Sequence, residues 1–136
     1  VALAKPEQYA AAASLSGALS FPYGMEENLK DPASPWPFRA IFEDCDIDKL
    51  ANSEVNLLFQ IKKLLAEGKK LPELFMTVGT EDFTYAGNRN AYQKLTELGM
   101  EVTFEEHPGA HNWEYWDTHV QRAINWLPLV NDSVKE

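Results

Sequence analysis

Apolar positions along the chain come in blocks, and the spacing within each block predicts its element. Tyr9 to Leu15 (YAAAASL) is a continuous apolar run. Alanine favours helix, but Pro6 before the run and Gly17 after it leave room only for a short element. A buried strand is therefore expected there. Phe21 to Pro37 (FPYGMEENLKDPASPWP) is rich in proline, glycine and aromatic residues and reads as a long ordered loop. A short helical turn is expected around Asp46 to Ala51. Glu54 to Glu67 then places Val55, Leu58, Ile61 and Leu65 on one helical face, with Leu57 and Leu64 beside them. Ser53 is its candidate N-cap and Gly68 its stop.

The second half of the chain is more regular. Leu74 to Val78 (LFMTV) is a buried-strand pattern ending at Gly79. Tyr85 to Leu98 predicts a helix with Ala91, Leu95 and Leu98 inward and Gly99 as its end. Glu101 to Glu105 alternates, with Val102 and Phe104 on one side. Trp113 to Leu127 predicts the last helix, with a stripe of Trp113, Trp116, Val120, Ala123, Ile124 and Leu127 closed by Pro128. The Trp113/Trp116 pair is expected in the core, and His119, off the stripe, in solvent. Strands alternating with helices imply an α/β fold: three mainly parallel strands with flanking helices and right-handed crossovers. The carboxyl ends of such strands carry the active loops. Ser16-Gly17-Ala18, Gly79-Thr80-Glu81-Asp82 and His107-Pro108-Gly109-Ala110-His111 all fall there.

Composition narrows the partners. The 136 residues carry a net charge of −9. That argues against nucleic acid or an anionic membrane, whose phosphates need a basic face. Cys45 is the single cysteine, so no intrachain disulfide can form and no cysteine knuckle can hold a metal. No apolar run approaches the ~18 residues of a membrane span, and no secretory signal opens the chain. A cytoplasmic protein is expected. The chain begins without Met, in what reads as a helix tail stopped near Pro6. A segment cut from something longer would open in this way.

Asp82 and His111 are the residues that can carry chemistry. Each has an ordinary reading, Asp82 as a helix cap and His111 as a loop residue. Together they offer an acid and then a histidine, 29 positions apart, at the same edge of adjacent parallel strands. An acid that fixes the imidazole tautomer is the support a serine nucleophile needs. Ser16, in S-L-S-G-A, lacks a glycine two positions earlier and is followed by a long loop, so it reads as a packing or turn serine. His107 and His111 form H-x-x-x-H, which would suit zinc on a helix, but Pro108-Gly109 breaks any helix there. Trp36 and Phe38 either shape a pocket or pack their own loop.

The segments GTEDFTYAGNR (79–89) and FEEHPGAHNWEYWDTHVQRAINWLP (104–128) resemble the end of an esterase branch of the α/β hydrolases. That branch includes tributyrin, acetyl and feruloyl esterases and is akin to S-formylglutathione hydrolase. The opening VALAKPEQYAAAASLSGAL resembles the stretch after that family's nucleophile helix. The resemblance implies that residues 1–136 are a single C-terminal segment of an α/β-hydrolase domain, with the nucleophile-bearing N-terminal half outside it. It implies Asp82 as triad acid, His111 as triad base, a small-molecule ester as substrate and no metal or organic cofactor. The family's G-x-S-x-G elbow is not in this sequence, so the chain alone is expected to be inactive. Two other readings stay open: a non-catalytic binding or assembly module on the same scaffold, and a metal-dependent hydrolase using His107 and His111. Without upstream neighbours the Tyr9–Leu15 strand would be an open edge, from which a homo-oligomer is expected.

Overall fold

The computed structural model describes residues 1–35, 38–42 and 45–129. Short 3-10 turns, Ala2–Ala4 and Pro6–Gln8, lead into strand β1, Ala11–Leu15. Helices α1 (Glu26–Lys30), α2 (Phe38–Ile41), α3 (Ile47–Ala51) and α4 (Leu57–Ala66) follow. Strand β2 (Glu73–Gly79), helix α5 (Tyr85–Glu97), strand β3 (Val102–His107) and helix α6 (Trp113–Trp126) complete the order. The sheet runs β1-β2-β3, parallel throughout. Registers such as Leu15 opposite Thr77 and Gly79 opposite His107 bring all three carboxyl ends to one edge.

The β2 run is buried on both faces, as a central parallel strand requires. Leu74 and Met76 pack with Leu58 and Ile61 of α4 and Ala91 and Leu95 of α5. On the other face, Phe75 meets the Trp126 ring and Thr77 bonds the Tyr115 hydroxyl, so α6 covers that side. The result is a three-layer α/β/α unit.

Several sequence expectations shift for local reasons. Helix α4 starts after Asn56, not Ser53. The buried Asn56 side chain accepts from Leu58 N–H at 3.0 Å and donates to the Ala51 carbonyl at 2.7 Å, while Ser53 Oγ turns back to Leu50 O. Val55 therefore lies outside the helix and is exposed, as is Leu65. The expected loop contains α1, and Phe42 stacks with Phe21 and Phe38, which meet each other at a tilt, over a small second core of Leu29, Cys45 and Leu50. Phe38 thus packs its own segment; Trp36 lies outside the described residues.

The largest correction concerns α6. It docks through Tyr115 and His119 together with Ala123 of the expected stripe, and not through the tryptophans. Trp113 is 80% exposed, Trp116 is half-buried and Ile124 is exposed, whereas His119 is buried. The polar hooks decide the rotation: Tyr115 reaches Thr77 at 2.7 Å, and the His119 ring stacks on His107 at 4.4 Å. An amphipathic stripe counted only in apolar residues misses a helix face built from Tyr and His.

Strand β1 pairs only with β2 among the described residues, and its side chains are half-exposed or exposed. We propose that the 136-residue chain self-associates along this edge. Light scattering is expected to find a dimer whose Ala11–Leu15 amides exchange slowly. A 15.4 kDa monomer with fast exchange in that strand would rule it out.

Candidate active site

Strands β2 and β3 end side by side, and the two loops beyond them are laced together. Thr80 N–H donates to the His107 carbonyl at 2.9 Å and Glu81 N–H to the Gly109 carbonyl at 3.0 Å. Gly109 N–H in turn donates to the Glu81 carboxylate. Gly79 permits this apposition, because a Cβ there would sit 2.0 Å from the Gly109 carbonyl oxygen. The lacing carries Asp82 and His111 to one point. His111 follows the second loop directly and precedes Asn112, which caps α6 by accepting from Tyr115 N–H at 3.0 Å.

His111 Nδ1 lies 3.1 Å from Asp82 Oδ1 and 3.0 Å from Oδ2. The structure thus brings together the two residues singled out in the sequence. The Asp82 side chain is wholly buried, whereas about a third of the His111 side chain is exposed. Burial would raise the Asp82 carboxyl. The Thr84 amide, the nearby Ser16 hydroxyl, the Thr84 hydroxyl and His111 outweigh it and hold the carboxyl below its ordinary value. A carboxylate in that position accepts a hydrogen bond from Nδ1–H of a neutral imidazole and leaves Nε2 as the free base. Phe83 lies against the His111 ring at 4.5 Å, and Trp116 meets it edge-on at 4.9 Å.

Sequence reasoning did not find the residues around this pair. Thr84 N–H and Thr84 Oγ donate to Asp82 Oδ1 at 2.8 and 2.7 Å. The D-x-T spacing of an Asx turn was the available signal. Asp82 therefore steadies the entry to α5, its ordinary reading, and also faces His111. Ser16 is buried at a left-handed φ of 54°. Its Oγ makes no hydrogen bond of full geometry, although it lies near enough to help hold the Asp82 carboxyl down.

His107 does not join His111. It bonds Glu105 at 3.2 Å, and Glu105 grips Arg122 with both oxygens. The Arg122 bonds, assisted by His107, lower the Glu105 carboxyl to about 2 despite partial burial. No group of three His, Cys, Asp or Glu side chains among the described residues is arranged to hold a metal. His119 is sandwiched between His107 and the Tyr115 ring, 4.4 and 4.2 Å away. Burial, then the charges of His107 and Arg122, push it below its ordinary 6.5, against a pull from Glu105.

That depression fixes a sign. The unfolded chain takes up the His119 proton near 6.5 and the folded chain only at lower pH. The stabilisation is complete above 6.5 and is lost as pH falls through the folded value. Urea midpoints measured at pH 7 and pH 5 should converge in His119→Phe, which keeps a ring in the sandwich. An unchanged difference between the two pH values would place the acid sensitivity elsewhere.

No family model matches the chain. An acetyl esterase of Caldicellulosiruptor saccharolyticus is 30% identical over 95 residues, which is 70% of this chain and 35% of that protein. Among solved structures, the substrate-bound fluorophosphonate-binding serine hydrolase FphF of Staphylococcus aureus superposes with a TM-score of 0.77. It is 26% identical, over 92% of this chain and 47% of its own. The S-formylglutathione hydrolase FrmB of the same organism gives 0.76 at 28% identity, with the same coverage. The chain has an α/β-hydrolase fold. Its relatives are of the esterase kind, as the sequence resemblance implies. A ferulic acid esterase matches at the level of fold, with a TM-score of 0.55 at 19% identity. The chain spans about a third of the length of the acetyl esterase and about half that of the solved hydrolases. No helix among the described residues is long and apolar enough to cross a membrane.

Proposed function

We propose that this chain supplies the acid and the base of a serine-esterase site, with Asp82 orienting His111, and that a serine outside residues 1–136 is the nucleophile. The observation that carries this reading is His111 Nδ1 against both oxygens of a buried carboxylate, at 3.0 and 3.1 Å. With Nδ1–H committed to Asp82, Nε2 accepts the serine proton as the hydroxyl attacks the ester carbonyl. It then returns that proton to the departing alcohol, and the acyl-serine is hydrolysed by the same route. The esterase relatives support ester hydrolysis as the reaction class.

The test compares two preparations. The 136-residue chain alone should hydrolyse p-nitrophenyl acetate no faster than its His111→Ala variant, and a fluorophosphonate probe should label none of its serines. Fusion behind the nucleophile-bearing part of the related acetyl esterase should create activity that His111→Ala abolishes. Labelling of Ser16 in the chain alone would overturn the assignment of the nucleophile. A fusion indifferent to His111→Ala would overturn that of the base.

A further inference from the structure

The acid of the pair is held by a residue whose usual task lies elsewhere. Thr84 is the N-cap residue of α5, a position where threonine ordinarily accepts a hydrogen bond from a first-turn N–H. Here the Thr84 side chain makes no capping bond. Its hydroxyl is turned to Asp82 Oδ1 at 2.7 Å, and its amide donates to the same oxygen at 2.8 Å. Thr84 is itself fixed from below. The fully buried Asn88 donates through Nδ2 to the Thr84 carbonyl at 3.0 Å and to the Gly17 carbonyl at 2.8 Å. That bridge ties the start of α5 to the end of β1.

The two carboxylate oxygens therefore have unequal surroundings. Both lie against His111 Nδ1, Oδ1 at 3.1 Å and Oδ2 at 3.0 Å, but only Oδ1 also takes two donors from Thr84. Two fixed donors on one oxygen set the rotation of the carboxylate plane and keep the charged form in place of the neutral acid that burial favours. We propose that Thr84 is a positioning residue for the Asp82–His111 pair, its hydroxyl orienting the carboxylate so that His111 is held as the Nδ1–H tautomer. This rests on the acid–base reading of the site. A Thr84 that served only to start α5 would use its hydroxyl on the helix, and removing the hydroxyl would change helix stability without touching the imidazole.

The experiment reads the imidazole directly, in the 136-residue chain and without catalysis. Imidazole ¹⁵N shifts above the His titration range report the two tautomers. Wild-type His111 should be mainly Nδ1–H. Thr84→Val, which keeps shape and amide but drops the hydroxyl, should move it towards the Nε2–H form that free histidine favours. Thr84→Ser should restore the wild-type signal. The Asp82 carboxyl ¹³C titration should move to higher pH in Thr84→Val. Thr84→Ala is carried alongside, so that either folded variant decides the matter. In the wild-type chain itself the Thr84 hydroxyl proton should be protected from exchange, and rapid exchange would overturn the proposal with no variant needed. An unchanged tautomer in Thr84→Val, with Asp82→Asn abolishing it, would refute the role of Thr84 and leave the pair intact. If Asp82→Asn also left the tautomer unchanged, the acid–base reading itself would fall.

Discussion

Replacing Asp82 by Asn is expected to lower kcat/KM for p-nitrophenyl acetate by about 10⁴-fold in the fused enzyme. The reason lies in which end of the amide faces the histidine. Thr84 N–H and Oγ both donate to the Oδ1 position, so they select the Asn carbonyl for that slot. The amide nitrogen is then left where Oδ2 stood, 3.0 Å from His111 Nδ1, while the carbonyl, 3.1 Å from the same nitrogen, is already taken by the two Thr84 donors. An NH₂ group is a donor and needs an acceptor there. His111 answers by carrying its proton on Nε2, and that nitrogen can no longer take a proton from serine. Size and hydrogen-bond number barely change, so the folded state should persist and the loss should appear in kcat. Rates of the fused enzyme with and without Asp82→Asn, normalised to active protein, decide it. A loss smaller than tenfold would mean that His111 works without the acid.

The framework of this site was legible in the sequence because it depends on a few strong signals. LFMTV ending at Gly79 admits little except a buried parallel strand, and that strand delivers Asp82. The alternation after Glu101 and the helix opened by Asn112 bracket His111 in the same way. What could not be read depends on contacts between residues distant in sequence. Ser16 comes near Asp82 only because β1 lies beside β2, a pairing that neither local pattern announces, whereas Thr84 reaches it within its own turn. The rotation of α6 was missed for a related reason. Its buried face uses Tyr115 and His119, whose partners Thr77 and His107 lie on two different strands. Counting apolar residues gave weight to Trp113, which the structure leaves exposed beside Trp116. Helix α4 shows the same limit on a smaller scale. Ser53 and Asn56 are both acceptable caps, and only the buried Asn56–Ala51 bond selects between them.

Gly79→Ala is expected to damage both stability and the site, although it adds a single methyl group. The new Cβ would lie 2.0 Å from the Gly109 carbonyl oxygen and 2.5 Å from its carbon, with Ala110 N at 3.2 Å. These are backbone atoms and cannot rotate away as a flexible side chain would. Gly109 cannot retreat freely either. It sits at φ 143°, where L side chains are strained, and packs so closely on Tyr115 that a Cβ of its own would meet the ring at 2.6 Å. The loop must therefore lift from β2, which stretches the Glu81–Gly109 bond and carries His111 with it. Overpacking of this kind costs roughly 1–3 kcal/mol. A displacement of about 1 Å at His111 would cost a further ~10²-fold in rate. Gly99→Ala is the comparison: its φ of 78° makes it strained, but no atom lies within 4 Å of its Cβ position and it is remote from the pair. That variant should lose stability while keeping the His111 tautomer and the rate of the fused enzyme, whereas Gly79→Ala should lose all three. If Gly79→Ala melts with the wild type and hydrolyses ester within twofold of it, the two loops are not held as closely as their hydrogen bonds imply.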